Sequence, residues 1–459
     1  MAHVFHPGIL REYDIRGVVG RTLGETDAHA LGRGFATRVR RVGGMRVAVG
    51  YDGRLSSPML EAALVAGLRA GGVDVVRIGL GPSPMLYFAE ATLEVDGAVQ
   101  VTGSHNPGDH NGFKMVLQHR AFFGDDIQDI AALAVTGDWT EGAGSVANVD
   151  VLDTYVERLA EGAIGAYRIG WDCGNGAAGP VIEQLVKLLP GEHHLLFTQV
   201  DGNFPNHHPD PGVEANLSDL KHLVAAKRLD FGLAFDGDGD RIGAVDALGR
   251  VVWGDQILAV LAEPVLRAHP GATVIADVKA SRHLFERIAE LGGKPVMTRT
   301  GHSVIKSEMA QTGAQLAGEM SGHIFFADDY YGYDDAAYAA VRLIRAIHES
   351  GRSLTQLKAA MPAVVDLPER RLPVDETRKT AIVGEVLERL TAAGADFNPT
   401  DGARVTTPDG WWLLRASNTE AALTIRAEAG DDAGLARLIA AIDAHLIASG
   451  VLPIGSLFT

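Results

Sequence analysis

The segment Gly97-Ala98-Val99-Gln100-Val101 is followed directly by Thr102-Gly103-Ser104-His105-Asn106-Pro107. The first segment is mostly apolar and predicts a buried strand, and the glycine and proline of the second predict that the strand ends there. We therefore expect the Ser104 hydroxyl at the end of a strand, at a sheet edge that an incoming group can reach. An ordinary turn is the alternative, because serine, asparagine, glycine and proline all favour turns.

Strand and helix patterns alternate in the residues that precede this segment. Strands are predicted at residues 45–50 and 73–78, and helices at 57–70 and 84–93. A proline near its start and a glycine pair after its end mark the first of these helices. The order strand, helix, strand, helix, strand predicts a largely parallel sheet with helices on its faces.

The alternation recurs twice, and each round ends in a polar loop. The second round ends in Asp236-Gly-Asp-Gly-Asp-Arg241 and the third in Gly318-Glu-Met-Ser-Gly-His323. Their predicted elements are strands 167–172, 194–200 and 231–235 with helices 177–189 and 217–227, then strands 273–276, 295–298 and 314–317 with helices 282–291 and 303–311. Because ligands bind beyond the carboxyl ends of strands in open α/β sheets, we expect these loops to share one cleft with Ser104.

The last part of the sequence has a different pattern. Strands are predicted at 369–374 and around Trp411, and helices at 379–390 and 433–447, which indicates a smaller α+β domain. The predicted fold class is therefore α/β, with three similar domains on mixed or parallel sheets and a smaller C-terminal α+β domain around one central cleft. The predicted domains are 1–150, 151–252, 253–366 and 367–459.

The composition argues against several classes of protein. The chain has 459 residues with 41 basic and 58 acidic side chains, and its net charge of −17 disfavours nucleic-acid binding, which needs basic patches. Cys173 is the only cysteine in the sequence, so no internal disulfide is possible and a reducing compartment is expected. The sequence shows no signal-peptide pattern, and the apolar segment 257–266 is too short to span a bilayer. We expect a cytoplasmic protein without a membrane partner.

Three aspartates, Asp236, Asp238 and Asp240, alternate with glycines after a predicted buried strand. Glycine lets the backbone curl tightly, so the three carboxylates can converge on one cation, and all-oxygen ligation of this kind suits Mg²⁺. An EF-hand is the competing metal site, but the segment lacks the later ligands and the closing glutamate of that loop. A solvated acidic turn is the other alternative.

Several side chains are candidates for contact with an anionic substrate. Lys114 can approach Ser104 if the chain doubles back between residues 108 and 112, although a solvated surface lysine is the commoner case. Arg241 follows the aspartates at once and can bind a phosphate, pair with those aspartates, or do both. Tyr13 and Arg16 precede a glycine bend, where the arginine could be a second phosphate ligand.

The loop at 318–323 alternates a carboxylate, a hydroxyl and an imidazole on Glu319, Ser321 and His323. Such groups suit the neighbouring hydroxyls of a sugar, and a turn with a capped strand end is the alternative. His302 could act as a general acid or base, although a lone histidine is more often structural. Lys279 follows a predicted strand and could reach the cleft.

The segment Arg415-Ala-Ser-Asn-Thr419 offers a compact set of hydrogen-bond donors in the C-terminal domain. The arginine supplies a bidentate fork, and hydroxyl, amide and backbone N–H groups can complete a phosphate site. A hairpin turn is the alternative interpretation of these residues.

Taken together, four loops resemble the ordered motifs of the α-D-phosphohexomutases, in the bacterial phosphomannomutase/phosphoglucomutase branch. The resemblance covers the whole chain. The Glu-Met-Ser-Gly-His form of the third loop and the segment 201–209 are similar to that branch, whereas the phosphoglucosamine mutases usually differ at Met320. The four motifs are Thr102-Gly-Ser-His-Asn-Pro107, Asp236-Gly-Asp-Gly-Asp-Arg241, Gly318-Glu-Met-Ser-Gly-His323 and Arg415-Ala-Ser-Asn-Thr419.

The resemblance implies a role for each motif residue. Ser104 would carry a phosphoryl group in the resting enzyme, and Asp236, Asp238, Asp240 and that phosphoserine would hold Mg²⁺. Lys114 and His105 would assist proton transfer, with Arg16 and Arg241 nearby. The remaining residues would bind substrate: Glu319, Met320, Ser321 and Gly322 the sugar, and Arg415, Ala416, Ser417, Asn418 and Thr419 the phosphate that is not transferred, helped by Tyr13, Lys279, His302 and His323. Asn418 stands where many relatives have glycine, which could tune this loop.

The resemblance also implies an activity. Domain 1–150 would carry the phosphoserine, 151–252 the metal, 253–366 the sugar site and 367–459 the phosphate site. The enzyme would interconvert hexose 1-phosphate and hexose 6-phosphate, of mannose or glucose, through a hexose 1,6-bisphosphate. We expect small-molecule sugar phosphates as partners and a monomer or weak homo-oligomer. A phosphohydrolase, a non-catalytic sugar-phosphate sensor and a phosphoglucosamine mutase are the alternatives.

Overall fold

A computed structural model describes residues 2–418 and 420–454, whose strands form four sheets. The first sheet is mixed, and its order is β1-β5-β4-β2-β3-β7, with β6 beside β5. A 3₁₀ turn at Pro7–Ile9 precedes it. The strands are β1 (Ile15–Val18), β2 (Arg46–Tyr51), β3 (Asp74–Leu80), β4 (Gly97–Val101), β5 (His110–Leu117), β6 (Arg120–Ala121) and β7 (Val146–Asn148), and the helices are α1 (Glu25–Arg41), α2 (Ser57–Ala70), α3 (Ser83–Thr92) and α4 (Asp125–Thr136).

The second sheet has the order β12-β11-β10-β8-β9. Its central pairs are parallel, and β11 and β12 add to one edge in antiparallel fashion. The strands are β8 (Tyr167–Asp172), β9 (Gly191–Leu196), β10 (Phe231–Phe235), β11 (Ile242–Asp246) and β12 (Val251–Val252), and the helices are α5 (Leu152–Ala160), α6 (Gly179–Leu185) and α7 (Ser218–Lys227), with a 3₁₀ turn at Glu214–Leu217.

The third sheet has the order β14-β13-β15-β16, and the fourth, which is antiparallel, has the order β17-β21-β20-β19-β18. The strands and helices of the third sheet and its surroundings are α8 (Gly254–Ala268), β13 (Thr273–Asp277), α9 (Arg282–Glu290), β14 (Lys294–Thr298), α10 (His302–Thr312), β15 (Leu316–Gly318), β16 (Ile324–Phe326), α11 (Ala336–Ser350) and α12 (Leu354–Ala359). Those of the fourth sheet and its surroundings are β17 (Val365–Pro373), α13 (Lys379–Ala393), β18 (Phe397–Asn398), β19 (Ala403–Thr407), β20 (Gly410–Ala416), β21 (Ala422–Ala429) and α14 (Asp432–Ala448). The predicted multi-domain α/β fold is confirmed.

The second round of the alternation differs from the prediction in two elements. Helix α6 ends at Leu185, earlier than expected, because the next backbone N–H groups bond three residues back, Lys187 to Gln184 and Leu188 to Leu185, which ends the α-helical pattern. Strand β9 ends at Leu196 because it pairs with β8, which ends at Asp172, and Phe197 has a φ of +52°. Register with a short neighbour therefore set this boundary, which local periodicity could not indicate.

The chain doubles back after Ser104, as the sequence predicts for Lys114. Strands β4 and β5 are antiparallel, and Lys114 lies opposite Gln100. Gly112 permits this arrangement, because a Cβ there would lie 2.1 Å from the carbonyl oxygen of Ile15 on β1. The doubling back buries Lys114 at the same sheet edge as Ser104.

An apolar core extends through the first three sheets and their helices. It includes Leu86 of α3, Trp171 of β8 and Leu261 of α8. The C-terminal domain has a separate core between its sheet and helices α13 and α14, and a small cluster of Val278, Trp411 and Leu413 lies where it meets the third sheet. Because apolar burial is the main favourable term in folding, the first three domains are held as one body, and the C-terminal domain is attached by a smaller apolar contact.

Among the helices of the described residues, none is both long and apolar enough to cross a bilayer.

The N-terminus of α11 is capped by a buried aspartate. Asp335 accepts a hydrogen bond from the backbone N–H of Tyr338 at 2.9 Å. It also accepts the hydroxyls of Tyr155 at 2.8 Å and Tyr330 at 2.7 Å. Burial raises the pKa of Asp335 to about 6, because these donors compensate its desolvation only in part.

We expect Asp335→Asn to become more stable relative to the wild-type protein as the pH rises from about 4 to about 7. The carboxyl has a pKa of about 6 when folded and about 3.9 when unfolded. Only the unfolded state therefore ionises easily in this window, and wild-type stability falls as the pH rises through it. Two pKa units correspond to ~3 kcal/mol. Urea unfolding of both proteins across this range tests the expectation, and a pH-independent difference between them would contradict it.

Candidate active site

The Ser104 side chain lies against the first aspartate of the acidic loop. Its Oγ donates to Asp236 Oδ2 at 2.9 Å and lies 3.2 Å from His105 Nδ1. Ser104 is 2% exposed and has a φ of +49°, a conformation that non-glycine residues rarely adopt. Burial, followed by the nearby Arg241 and Arg16, holds the pKa of His105 well below its usual range, so the ring is neutral.

A buried arginine that the sequence analysis did not identify holds the Ser104 loop. The guanidinium of Arg54 donates to four backbone carbonyls of that loop: Ser104 and Asn106 at 2.6 Å, Pro107 at 2.6 Å and His110 at 3.0 Å. Asp52 receives the Thr102 hydroxyl at 2.8 Å and the Gly103 N–H at 3.1 Å. These bonds compensate the strained backbone of Ser104 and fix where its hydroxyl points.

Arg16 lies on β1 and also contacts this loop. Its Nη1 donates to Asn106 Oδ1 at 2.6 Å and to the carbonyl of Gly103 at 3.2 Å, and its Nη2 pairs with Asp14. The buried Nε of Arg16 lacks a hydrogen-bond partner among the described residues. That unused donor suits an anionic group near Ser104.

The three aspartates converge, as their spacing predicts. One oxygen of each lies within 4.8 Å of the others, and all three side chains are fully buried. Asp236 Oδ1 accepts the backbone N–H groups of Asp240 at 3.0 Å and Arg241 at 3.1 Å, which closes the turn. The Ser83 hydroxyl donates to Asp238 at 2.5 Å.

Lys114 joins this cluster from β5. Its Nζ donates to Asp238 Oδ2 at 2.7 Å and also to Asp240 Oδ2. Burial lowers the pKa of Lys114, but Asp238 and Asp240 more than offset this, so the ammonium stays charged. Lys114 is therefore a buried cation beside the aspartates and not the solvated surface lysine of the alternative interpretation.

The aspartate cluster fits a divalent cation. Asp238 Oδ1 and Asp240 Oδ1 are buried, and neither has a hydrogen-bond partner in the described structure. Burial and then the neighbouring charges of Asp238 and Asp240 raise the pKa of Asp236, while Lys114 holds that of Asp238 below its usual range despite burial. Crowded carboxylate oxygens with open positions are the ligands that Mg²⁺ prefers, so this cluster could hold a metal ion.

The acidic loop is joined directly to the loop at 318–323. The backbone N–H of Ile242 donates to the carbonyl of Gly322 at 3.0 Å, and Arg241 forms a bridge with His323. Gly322 has a φ of +99°, and a Cβ there would lie 2.4 Å from the carbonyl oxygen of Ile242. Only glycine allows the second and third domains to approach this closely.

His323 lies beside the aspartates and Arg241. Its Nε2 accepts from Arg241 Nε at 2.9 Å, and its Nδ1 lies 2.9 Å from Asp334 and 3.5 Å from Asp240. His302 stacks on its ring with centroids 5.5 Å apart, and burial, then Lys306, holds the pKa of His302 well below its usual range. The structure therefore places both histidines at the Ser104 end of the site.

The remaining residues of the third loop form a separate polar group. Glu319 accepts the Gly301 N–H at 2.9 Å and the Ser321 hydroxyl at 2.7 Å. Burial raises the pKa of Glu319, but His323 and Lys279 more than offset this and keep it ionised. The backbone N–H of Met320 donates to Asp277 at 3.2 Å.

The C-terminal loop reaches the first domain. Arg415 is buried and donates from Nε to Asp401 at 2.9 Å. The amide of Asn418 donates to the hydroxyl of Tyr13, which donates to the carbonyl of Thr300 at 2.7 Å. Ala416 ends β20, and the Ser417 hydroxyl accepts the backbone N–H of Glu420 at 3.1 Å. Thr419 lies outside the described residues.

A cavity of about 410 Å³ joins several of these groups. Ser104, Lys114 and Arg241 line it together with His302 and His323, and it reaches the C-terminal domain at Arg371 and Glu420. Within the described part of the chain, Arg415 is not among its lining residues. Ser104, Lys114, Arg241 and the two histidines thus share one solvent-accessible space, whereas none of the three aspartates is among its lining residues.

Asp334 and Lys306 are further residues that the sequence analysis missed. Asp334 is fully buried next to the Asp335 cap, and Lys306 donates to it at 3.0 Å. Burial raises the pKa of Asp334, but Lys306 and His323 hold it well below its usual range. The sequence did contain a signal for Asp334, because two adjacent aspartates precede the amphipathic segment 336–350. One aspartate suffices to cap a helix, so the other is available for a different role.

Family models match the chain along most of its length. The models described as phosphoglucomutase/phosphomannomutase, alpha/beta/alpha domains I, II and III, match residues 8–140, 153–249 and 253–364. The model for the C-terminal domain of the same family matches residues 369–445. The order of the matches is that of the four sheets.

Curated proteins and solved structures agree with these models. The chain is 44% identical over 432 residues to a phosphomannomutase/phosphoglucomutase of Pseudomonas putida, covering 94% of this chain and 93% of that protein. It is 40% identical over 437 residues to a phosphoglucomutase of Neisseria gonorrhoeae, covering 94% and 95%. A crystal structure of a phosphoglucomutase/phosphomannomutase family protein from Burkholderia thailandensis matches with a TM-score of 0.93 and 42% identity, covering 98% and 100%. The resemblance drawn from the four loops is thus confirmed, and the chain belongs to the phosphoglucomutase/phosphomannomutase family of α-D-phosphohexomutases.

Proposed function

We propose that this chain is a phosphohexomutase that interconverts hexose 1-phosphate and hexose 6-phosphate, with mannose, glucose or both as the sugar. The observation that carries the proposal is the 2.9 Å contact between Ser104 Oγ and Asp236 inside a buried aspartate cluster. A serine hydroxyl held against potential metal ligands is suited to carry a phosphoryl group. The names of the relatives support the same activity.

In the proposed reaction, phosphorylated Ser104 transfers its phosphoryl group to the free hydroxyl of a bound hexose phosphate. The Ser104 Oγ–P bond breaks, a bond from phosphorus to the sugar oxygen forms, and a hexose 1,6-bisphosphate results. The bisphosphate then reorients in the cleft, so that its other phosphate faces Ser104, and it transfers that phosphoryl group back to the Ser104 hydroxyl. Added bisphosphate would therefore also serve as an activator that phosphorylates the resting enzyme.

Residues of this chain have distinct proposed roles around Ser104. His105, which is neutral because burial lowers its pKa, exchanges the proton at Ser104 Oγ from 3.2 Å. Lys114 stays charged and, with Arg16 and Arg241, offsets negative charge on the moving group. When bound by Asp236, Asp238, Asp240 and phosphorylated Ser104, Mg²⁺ would supply further positive charge there.

The substrate would extend from Ser104 toward the C-terminal domain. Glu319 and Ser321 are proposed to bind sugar hydroxyls, with Met320 and Gly322 shaping that loop. The phosphate that is not transferred would bind the Arg415 loop, which includes Ala416 to Thr419, with Tyr13 and Lys279 as further ligands. His302 and His323, which the resemblance assigned to the same phosphate, line the cavity that contains Ser104, so we propose instead that they face the phosphoryl group being transferred. Because either end of the sugar can face Ser104, one phosphate site would serve both orientations.

We also propose the domain limits 1–150, 151–252, 253–366 and 367–459, with the phosphoserine, metal, sugar and phosphate sites in that order. Each sheet draws its strands from one of these ranges, apart from the first two residues of β17 (Val365–Pro373). A monomer or weak homo-oligomer stays our prediction for the state in solution.

The proposal is tested by intact mass and by isomerisation assays. Incubation with glucose 1,6-bisphosphate should add one phosphoryl group to the protein, and mannose 1-phosphate or glucose 1-phosphate should then be converted to the 6-phosphate. Stoichiometric release of inorganic phosphate would instead indicate a phosphohydrolase, and binding without turnover a sensor. A higher kcat/KM for glucosamine phosphates than for mannose or glucose phosphates would indicate a phosphoglucosamine mutase.

A further inference from the structure

The C-terminal sheet holds four consecutive residues of the third domain, Val278 to Ser281, which follow strand β13. The guanidinium of Arg404 donates to the carbonyls of Val278 and Ala280, the latter at 2.9 Å. The guanidinium of Arg426 donates to the carbonyl of Lys279 between them. The Ser281 hydroxyl donates to Glu428 at 2.7 Å.

These side chains form one face of the C-terminal sheet. Arg404 lies opposite Leu413, and Leu413 lies opposite Arg426, so the two arginines flank one central strand. Trp411 lies between the guanidinium groups, whose carbons are 3.8 Å and 5.3 Å from its ring centroid. Its indole N–H donates to Glu428 at 3.1 Å, which fixes the acceptor of Ser281.

Burial makes this arrangement costly if it serves only to join two domains. Arg404 and Arg426 are 4% and 3% exposed, and burial, followed by the charge of Arg426, lowers the pKa of Arg404 to about 10. Apolar residues of similar volume generally join surfaces at lower cost than buried charges do. The two guanidinium groups instead provide a defined orientation of the bonded segment, because each one binds backbone carbonyls at fixed angles.

The loop that they fix carries Lys279. Its Nζ lies 3.2 Å from Glu369 on β17 and 3.9 Å from Asp277. Burial lowers the pKa of Lys279, but the charges of Glu369, Asp277 and Glu319 more than offset this. Arg415 in the C-terminal loop lowers this pKa slightly through its own charge. The C-terminal sheet therefore contacts Lys279 twice, at its carbonyl through Arg426 and at its ammonium through Glu369.

We propose that Arg404 and Arg426 are positioning residues that set the place of Lys279 in the substrate site. The inference rests on the proposed function, in which Lys279 binds the phosphate that is not transferred. Neither arginine lines the cavity that contains Ser104. Each donates to the backbone of residues 278–280, and Arg426 also contacts the sulfur of Met320 in the loop at 318–323. The strength of substrate binding in the third domain therefore depends on the docking of the C-terminal sheet.

The test is a double-mutant cycle on the full chain. Arg426→Lys removes the fork and keeps the charge, and we expect KM for the hexose 1-phosphate to rise about tenfold or more, with a smaller change in kcat. Lys279→Met should raise KM by at least as much. In the double variant, kcat/KM should be no lower than in Lys279→Met alone, because the arginine acts through that lysine. Hydrolysis of the phosphoenzyme in the absence of sugar should be unchanged by Arg426→Lys.

Arg389→Lys is the matched control. Arg389 also donates to a backbone carbonyl, that of His445 at 3.0 Å, but within the C-terminal domain itself. The Arg389→Lys variant should leave KM unchanged. If Arg426→Lys lowers the midpoint of unfolding more than this control does, Arg404→Lys takes its place in the cycle.

Three outcomes would overturn the inference. The effects of Arg426→Lys and Lys279→Met could multiply, Lys279→Met could leave KM unchanged, or Arg389→Lys could raise KM as much as Arg426→Lys does. In each case the wild-type protein still isomerises and the proposed function stands. A wild-type protein that neither accepts a phosphoryl group nor isomerises overturns the proposed function instead, and the inference with it.

Discussion

The Ser104→Ala variant is expected to lose kcat/KM for hexose-phosphate isomerisation by at least about 10³-fold. Alanine removes the oxygen to which the phosphoryl group would be attached in the proposed reaction. The change should not unfold the protein, since the loop is held through its backbone by Arg54 and Asp52. Steady-state isomerisation assays measure the effect, and intact mass after incubation with glucose 1,6-bisphosphate should show no added phosphoryl group.

Ser145→Ala provides a matched control for Ser104→Ala. Ser145 lies in the same domain and donates its hydroxyl to an aspartate, Asp74, at 2.7 Å, as Ser104 does to Asp236. It does not line the cavity that contains Ser104. This control should keep wild-type activity and become phosphorylated. Near-normal isomerisation by Ser104→Ala would reject the assignment of Ser104 as the phosphoryl carrier.

The Asp238→Asn variant is expected to lose roughly 10²- to 10³-fold in kcat/KM, about 3–4 kcal/mol of transition-state stabilisation. The substitution removes one anionic ligand from the buried cluster and one partner of Lys114. In the proposed site, the first change would weaken the affinity for Mg²⁺ and the second would weaken the electrostatic match to a phosphoryl group. We expect the Mg²⁺ concentration for half-maximal activity to rise at least about tenfold.

Asp246→Asn is a control that removes a buried carboxylate outside the aspartate cluster. Asp246 is fully buried at the end of β11 in the same sheet, but it accepts the backbone N–H groups of Leu248 and Arg250, both at 2.9 Å. This variant should change stability and leave the Mg²⁺ dependence as in the wild-type protein. An unaltered Mg²⁺ dependence in Asp238→Asn would show that the metal binds elsewhere.

The sequence was most informative where chemistry and local structure coincide. The aspartates Asp236 to Asp240 converge because alternate glycines close one short turn, a feature that five residues define by themselves. The strand before Ser104 was equally clear, since its apolar run and its ending are local. Lys114 was partly predictable: the doubling back was foreseen, but the contacts with Asp238 and Asp240 join residues more than a hundred positions apart.

Other parts of the site depend on contacts that no local pattern reveals. Arg54 is a fully buried cation in a polar segment typical of a surface loop, and its four carbonyl partners lie about fifty residues later. Arg404 and Arg426 stand at alternating positions on strands whose partner surface belongs to another domain. Such residues are recognised only once the domains are placed together, because their role is to compensate a backbone shape that the sequence does not encode locally.

The separate core of the C-terminal domain has a consequence for inherited or engineered variants. Substitutions of apolar residues between the C-terminal sheet and helices α13 and α14 weaken a unit whose core is separate from the one shared by the first three sheets. Under the proposed function, such a variant would still form the phosphoenzyme but would bind its sugar phosphate more weakly. A higher substrate concentration would then restore the reaction rate, whereas it would not restore the rate of a variant destabilised in the core that the first three domains share.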